Sequence, residues 1–307
     1  MNFKYSDSNK RYHTLNYYYK HKFNEKIIKI SLNGNFSCPH LKNGGCIYCS
    51  SSGSGDFAGN KEEDLVTQFE KVKLVMNKKW QGKYIGYFQA RTNTYASVDI
   101  LKEKYEKILK LKDVVGLAIA TRPDSITDEC LKYLSELNKK TFLTIELGLQ
   151  TIHEETSKLI NRGHDLKCFI DMVKKLRNEN INVVVHIING LPYETKEMMI
   201  ETAKFLNTLD IQGIKIHMLY ILKNTKLEKL YLKEKFKLLT QDEYISIVCE
   251  QLQNLRPEIV IHRLTGDPDV KDLVEPKWVV KKINVLNGID KYMNEKNIFQ
   301  GDFVKWG

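Results

Sequence analysis

Short apolar runs alternate with longer amphipathic segments along almost the whole chain. Seven runs have the length and apolar content of strands buried in a parallel sheet. They are residues 26–32, 84–91, 114–121, 141–149, 181–190, 213–221 and 259–264. Six segments between them repeat apolar residues at the spacing of amphipathic helices, namely 61–80, 97–112, 127–137, 166–180, 195–209 and 241–255. The alternation predicts an α/β fold in which strand-helix units surround a parallel sheet. No internal repeat or low-complexity linker interrupts the series, which favours one barrel-like domain with terminal extensions.

Several predicted strands carry polar residues on one face only. Successive strand residues point to opposite sides of a sheet, so one set faces the covering helices and the other the barrel interior, or lumen. In the run 144–150, the apolar Ile145, Leu147 and Leu149 suit the helix side. The set predicted to face inward is Thr144, Glu146, Gly148, Gln150, Lys215, His217, Tyr87, Gln89, Arg91, His186, Ile188 and Gly190. Tyr220 is a further candidate on the substrate side, although strict alternation is predicted to point it outward. A packed barrel interior would be mostly branched and apolar, so this polar set indicates a ligand cavity or an internal hydrogen-bond network.

The overall composition is that of a folded protein with excess positive charge. The chain has 307 residues, with 48 Lys+Arg against 38 Asp+Glu, 42% hydrophobic residues and six cysteines. This composition differs from that of a disordered chain or a disulfide-rich miniprotein. The N-terminus lacks the apolar core of a signal peptide, and no apolar stretch reaches the length of a membrane span. We therefore expect a cytoplasmic protein with reduced thiols and no membrane partner.

The positive charge is concentrated in two segments. Residues 1–29 contain seven Lys/Arg and two acids, interleaved with Phe3, Tyr5, Tyr12, Tyr17, Tyr18, Tyr19 and Phe23. Such a mixture suits phosphate contact and base stacking. It equally suits a solvated arm whose aromatic rings pack on the main domain. Residues 223–237 contain six lysines against two glutamates. Both segments indicate a polyanionic partner.

Three cysteines follow the first predicted strand in a glycine-rich loop. Cys38, Cys46 and Cys49 form a C-x7-C-x2-C array. Three thiolates without an evident fourth ligand fit an iron–sulfur cluster that keeps one iron open, whereas structural zinc is normally closed by a fourth ligand, for which His40 is available. Cys130, Cys168 and Cys249 each lie in a helical pattern beside apolar residues and are interpreted as small core residues.

The triplet and several later stretches together resemble the radical S-adenosylmethionine (SAM) superfamily, and within it the YhcC/YtqA (MnmL-like) group related to the catalytic subunit of Elongator. The matching stretches are 38–49, 87–95, 121–124, 146–151, 161–164, 189–192, 215–217, 262–267 and 300–301. The resemblance implies a partial (β/α)6-type TIM barrel over residues 26–264. It also implies a basic aromatic extension over 1–25 and an extension over 265–307 that packs on the barrel. The triplet spacing differs from the usual C-x3-C-x2-C, and no acetyltransferase-sized region follows the barrel.

The same resemblance implies the cofactors and assigns roles to residues. Cys38, Cys46 and Cys49 would hold a 4Fe-4S cluster whose remaining iron binds SAM, and a reduced flavodoxin or ferredoxin would donate the electron. The residues implied to contact SAM are Tyr48 near the adenine, Gln89 at the methionine amino group, Glu146 at the ribose hydroxyls, Arg162 at the carboxylate, Gly190 beside the adenosine, and Gln150. Lys215, His217 and His186 are the catalytic candidates on the substrate side.

Members of the YtqA group, as the resemblance implies, convert 5-carboxymethylaminomethyluridine at the tRNA wobble position to 5-aminomethyluridine. The sequence therefore predicts a tRNA-modifying radical SAM enzyme. In this hypothesis the basic N-terminal arm faces the barrel mouth and contacts tRNA. Two alternatives stay open at this point. One is a radical SAM enzyme acting on a small molecule or protein, and the other is a non-enzymatic RNA-binding protein that contains structural zinc.

Overall fold

A curved sheet of seven parallel strands forms the centre of the computed structural model, which describes residues 3–50 and 58–304. The sheet strands are β1 (Ile27–Leu32), β2 (Lys83–Phe88), β3 (Val114–Thr121), β4 (Phe142–Gln150), β5 (Asn182–Asn189), β6 (Gly213–Met218) and β8 (Val260–Arg263). They are ordered β1-β2-β3-β4-β5-β6-β8. Two short strands, β7 (Ile221–Leu222) and β9 (Leu273–Glu275), pair antiparallel beside it. The predicted α/β partial barrel is confirmed.

Helices surround the sheet, and most of them cover its outer face. They are α1 (Leu15–Phe23), α2 (Leu65–Asn77), α3 (Val98–Leu109), α4 (Asp128–Asn138), α5 (Glu154–Leu159), α6 (Leu166–Asn178), α7 (Lys196–Leu206), α8 (Lys226–Glu234), α9 (Gln241–Gln253) and α10 (Lys282–Glu295). Polar side chains fix several starts by accepting a free backbone N–H of the first turn, as Thr127, Asp165 and Thr195 do. Thr240 and Glu243 form a reciprocal capping box at α9.

The predicted division between helix side and lumen side is present in β4. Ile145, Leu147 and Leu149 are fully buried in the main apolar core under the helices. Two strands end earlier than predicted. β2 ends at Phe88 rather than residue 91, and Arg91 has a left-handed φ of 63°. β6 ends at Met218, and the chain then turns before β7 begins. Strand alternation therefore does not extend to Tyr220, and the prediction that Tyr220 points outward is wrong, because this side chain lines the central cavity.

The N-terminal segment packs at the end of the barrel where the strands begin. Helix α1 contacts both edge strands, β1 and β8, and Thr14 forms a bridge with Ile261. The rings of Tyr19 and Phe23 pack edge-on against Phe142, the first residue of β4. The expectation that the basic arm faces the barrel mouth is therefore wrong, since the mouth lies at the opposite, carboxyl ends of the strands. The tyrosines of the arm instead cover the open sheet edges and the barrel floor.

The C-terminal segment packs along the outside of the barrel. Helix α10 lies against α9 and contributes the buried Val285, Ile289 and Met293 to the main core. The Gln300 side chain links both ends of the chain, because its Oε1 accepts from the His13 backbone N–H and its Nε2 donates to the Arg256 and Ile259 carbonyls. Among the described residues, no helix has the length and apolar composition needed to cross a membrane.

Candidate active site at the barrel mouth

The loop after β1 presents the three cysteines at the mouth. Gly44 and Gly45 take left-handed φ values of 85° and 66°, which allow the tight turn before Cys46. The Asn161 side-chain amide donates to the backbone oxygens of Asn43 and Gly45, at 3.1 and 2.7 Å. The backbone N–H of Ile47 donates to the Ile160 carbonyl. These bonds fix the loop so that all three cysteines line one cavity of about 240 Å³.

The cysteine environment favours thiolate formation at Cys46. A hydrogen bond from the Cys49 thiol lowers the pKa of Cys46 to about 6, with help from the Tyr48 hydroxyl and the positive charge of Arg122. Thiolate is the form of cysteine that binds metal. The ring of His40 is oriented by a hydrogen bond from its Nε2 to the Asn161 carbonyl, at 2.7 Å.

The cysteines share the cavity with residues from most strands. Of the predicted site residues, those that line it are Cys38, Cys46, Cys49, Tyr48, Gln89, Glu146, Gln150, Arg162, His186, Lys215 and His217. Gly190 does not line this cavity. Its φ of 86° turns the chain away at the end of β5, and its nearest side chains, measured from the position of an added Cβ, are Leu239 and Leu219. Gly190 is therefore the one predicted site residue that does not line the cavity.

A buried arginine beside the cysteine loop has an unused donor. Arg162 is 1% exposed and donates from Nη1 to the Leu149 and Thr151 carbonyls, at 2.8 and 2.6 Å. Its Nε donates to the His164 carbonyl. Its Nη2 hydrogen-bonds to no described residue, although Glu154 lies 3.7 Å away. Buried donors normally have a partner, so Nη2 is suited to an anionic ligand group in the cavity.

The inner part of the cavity contains a charged cluster centred on Glu146. The Oε1 atom of Glu146 accepts from Lys29 Nζ at 2.6 Å. Its Oε2 accepts from Lys215 Nζ at 2.5 Å and from His186 Nε2 at 2.9 Å. Lys215 also donates to the Tyr87 hydroxyl at 2.9 Å. We call Lys29, Glu146, His186 and Lys215 the Glu146 cluster.

Burial and charge act against each other in this cluster. Burial raises the pKa of Glu146, but the ammonium groups of Lys215 and Lys29 outweigh it and hold that pKa well below its usual range. Burial lowers the pKa of Lys215 to about 7, despite the opposing effect of Glu146. Burial, reinforced by the charge of Lys215, lowers the pKa of His186 to about 4. At neutral pH Glu146 is therefore ionised and His186 is neutral.

Sequence reasoning missed four charged residues of this region. Lys29 lies on β1 between the outward Ile28 and Ile30, so strand alternation would have placed it inward. Arg122, Arg263 and Asp267 also line the cavity. Their signal is weaker because they lie at strand ends or in the following loops, where alternation ends.

The strands form a parallel half-barrel with a polar lumen, and three cysteines follow the first strand. This combination is typical of enzymes that depend on an iron–sulfur cluster. Family comparison agrees: residues 43–206 match the radical SAM superfamily and residues 211–295 match the Radical_SAM C-terminal domain. The chain belongs to the radical SAM superfamily, in the YhcC/YtqA group related to the Elongator catalytic subunit.

Individual relatives support the same grouping. The uncharacterized protein YtqA of Bacillus subtilis (strain 168) is 51% identical over 99% of this chain and 96% of its own length. Protein YhcC of Escherichia coli (strain K12) is 30% identical over 90% of each chain. A tRNA uridine(34) acetyltransferase of Methanocaldococcus infernus is 26% identical over 60% of this chain and 34% of that protein. The solved structure of Elp3 from that archaeon, lacking its N-terminus (1–46), shares the fold, with a TM-score of 0.68 at 18% identity over 89% of this chain and 64% of that chain.

Members of this superfamily bind a 4Fe-4S cluster and SAM, and the residues here fit both. Three thiols of one loop open on the cavity and would hold the cluster, and Arg162, whose Nη2 hydrogen-bonds to no described residue, lines the same cavity. When bound and reduced, the cluster and SAM together supply a 5′-deoxyadenosyl radical that can abstract a hydrogen atom. The protein holds these groups in a partly enclosed cavity that limits access of water.

Proposed function

We propose that this radical SAM enzyme modifies the wobble uridine of tRNA, converting 5-carboxymethylaminomethyluridine to 5-aminomethyluridine. The carboxymethyl group would leave as glyoxylate: cleavage of its bond to nitrogen consumes one water and is a two-electron oxidation, and the conversion of SAM to methionine and 5′-deoxyadenosine takes up both electrons. The observation that carries the proposal is a radical SAM cavity with a polar, cationic inner end and a strongly basic rim. The relative from Methanocaldococcus infernus adds support, because it is named for its action on uridine 34 of tRNA. A base in a single-stranded anticodon loop can be turned out into such a cavity.

The basic rim is formed by α8 rather than by the N-terminal arm. The Leu227 N–H donates to the Ile47 carbonyl and Lys226 Nζ donates to the Gly44 carbonyl, so α8 begins against the cysteine loop. Lys226, Lys229 and Lys233 are spaced three and four residues apart and are all exposed. They therefore form one stripe on the helix surface, beside the mouth. A stripe of this kind suits the phosphates of an RNA loop whose base enters the cavity.

We propose roles for the SAM-facing residues as follows. Arg162 binds the carboxylate, Gln89 the amino group, and Tyr48 packs near the adenine. We propose that Gln150, rather than Glu146, contacts the ribose hydroxyls of SAM. Both carboxylate oxygens of Glu146 already accept hydrogen bonds from the other members of the Glu146 cluster. Gln150 lies four residues further along β4, at its end nearer the mouth. Its amide lies across Gly148, where a Cβ would meet Gln150 Nε2 at 2.7 Å.

The remaining assignments follow from this reaction. We propose a cytoplasmic enzyme, since tRNA is its substrate, and a flavodoxin or ferredoxin as electron donor. Lys215, His217 and His186 face the substrate. The reaction is tested by incubating the anaerobically reconstituted protein with SAM, reductant and tRNA bearing 5-carboxymethylaminomethyluridine, followed by nucleoside mass spectrometry. Formation of 5-aminomethyluridine that requires SAM supports the proposal. SAM cleavage without any change in the tRNA would contradict it and favour a small-molecule or protein substrate.

Charge reversal on α8 is expected to weaken tRNA binding much more than reversal on the N-terminal arm. In the variant with Lys229→Glu and Lys233→Glu, two phosphate contacts are lost, so affinity should fall by at least about tenfold and the salt slope by about two. The matched control replaces Lys20 and Lys22, two exposed lysines of α1, with glutamate. Filter binding over a salt series provides the measurement. Equal losses in both variants would show that α8 is not the specific contact surface.

A further inference from the structure

The inner end of the cavity has more cationic than anionic side chains. Glu146 is the carboxylate between two lysines, Lys29 and Lys215, so this group of three carries one excess positive charge when all are ionised. The nearby Arg263 adds no negative charge, because its partner Asp267 is shared with Lys282. A buried excess charge is costly unless a ligand compensates it. A negatively charged ligand group would compensate this excess when Lys215 is protonated.

Two donors in this region are available to a ligand. An ammonium group has three N–H donors, and Lys215 uses two of them, toward Glu146 and Tyr87. His217 makes no hydrogen bond among the described residues, and its ring lies beside that of His186, with centroids 5.3 Å apart. Lys215 and His217 are two residues apart on β6 and both line the cavity. Both side chains therefore project from the same face of β6. Two donors placed in this way can bind the two oxygens of one planar anion.

We infer that Lys215 and His217 bind the carboxylate of the substrate's carboxymethylamino group, and so select for substrates that carry it. The inference rests on the proposed function and specifies its substrate recognition. A carboxylate supplies a negative charge and has two oxygens, one for each donor. When the carboxylate binds at the inner end, the adjoining CH₂ group lies nearer the mouth, on the side of the cysteine loop. Lys29 has a different role, because it holds Glu146 but does not line the cavity.

The test compares two anticodon stem-loop RNAs that differ only in the carboxylate. One carries 5-carboxymethylaminomethyluridine and the other 5-methylaminomethyluridine. We expect the SAM-bound wild-type protein to bind the first at least about tenfold more tightly, as a charged hydrogen bond contributes about 1.5–3 kcal/mol. Lys215→Met should reduce this preference to about one, and His217→Gln should reduce it in part. Lys29→Met removes one positive charge from the Glu146 cluster but no donor that lines the cavity, so it should reduce the preference less than Lys215→Met does.

The preference ratio separates recognition from general damage, because a folding defect weakens binding of both RNAs together. Iron content and far-UV circular dichroism identify variants that fail to fold, and in that case Lys215→Gln replaces Lys215→Met. A wild-type preference that persists in both Lys215 variants would overturn the inference while leaving the proposed reaction intact. If the wild-type protein formed no 5-aminomethyluridine from the carboxylated RNA, the proposed function would fail as well. Loss of the preference in Lys29→Met to the same degree would assign the effect to the Glu146 cluster and overturn the direct contact.

Discussion

Replacing Cys46 with alanine is expected to abolish SAM cleavage and to remove the cluster. The reconstituted wild-type protein should hold about four irons per chain, as a 4Fe-4S cluster requires. Cys46 is one of the three cysteines that line the cavity, and without it the cluster has only two of its three protein ligands. We expect 5′-deoxyadenosine formation to fall by at least ~1,000-fold, because the protein itself supplies no other source of the radical. Iron and sulfide analysis and chromatography of 5′-deoxyadenosine measure both effects.

Cys168→Ser is the matched control, because Cys168 is a half-buried cysteine of α6 outside the cavity. Its variant should keep the iron content and the cleavage rate. Two results would contradict the assignment. One is zinc in place of iron in the wild-type protein, which would favour the zinc-containing RNA-binding alternative. The other is SAM cleavage that survives in Cys46→Ala at the rate of the control.

The strands were predictable because burial on a parallel sheet leaves a simple signal. Each of the seven sheet strands is a short apolar run, and β3 matches its predicted bounds of 114–121. Helices with a broad apolar face, such as α6, were predictable for the same reason. Helix α1 was not, because Tyr17 to Lys22 are three consecutive tyrosines followed by three consecutive basic residues, without a clear apolar face. Helix α8 was hidden in the same way by its lysines.

The sequence predicts that the residues of the inner site lie in the lumen, but it does not predict which of them contact one another. Alternation along β4 and β6 places Glu146, Lys215 and His217 in the lumen, as the structure has them. It cannot tell which lumen residues touch, because Lys29 and Glu146 are 117 residues apart and meet only when the sheet curves. For the same reason, the assignment of Glu146 to the SAM ribose could not take account of the two lysines that hold its oxygens. The direction of the N-terminal arm was likewise decided by ring packing against β4, which no local pattern encodes.

Because Glu146 neutralises buried positive charge in the lumen, we expect it to contribute strongly to the free energy of unfolding. Its side chain is fully buried, and it is the negative member of a group with two lysines. Removing one partner of a buried ion pair is far more damaging than removing an exposed one, because the remaining charge has no compensation. Lys215 can limit the damage by losing its proton, since burial already lowers its pKa to about 7.

We therefore expect Glu146→Gln to lower the free energy of unfolding by about 3 kcal/mol, toward the low end for a broken buried pair. Adding Lys215→Met removes one of the two lysine charges that Glu146→Gln leaves unpaired, and should recover at least about half of that loss. Asp171→Asn, which breaks the exposed pair with Lys167, should cost less than about 1 kcal/mol. Anaerobic urea titrations of the cluster-loaded proteins, followed by circular dichroism, compare the three variants. A Glu146→Gln protein as stable as Asp171→Asn, or a double variant less stable than Glu146→Gln, would show that Glu146 does not compensate the buried lysines.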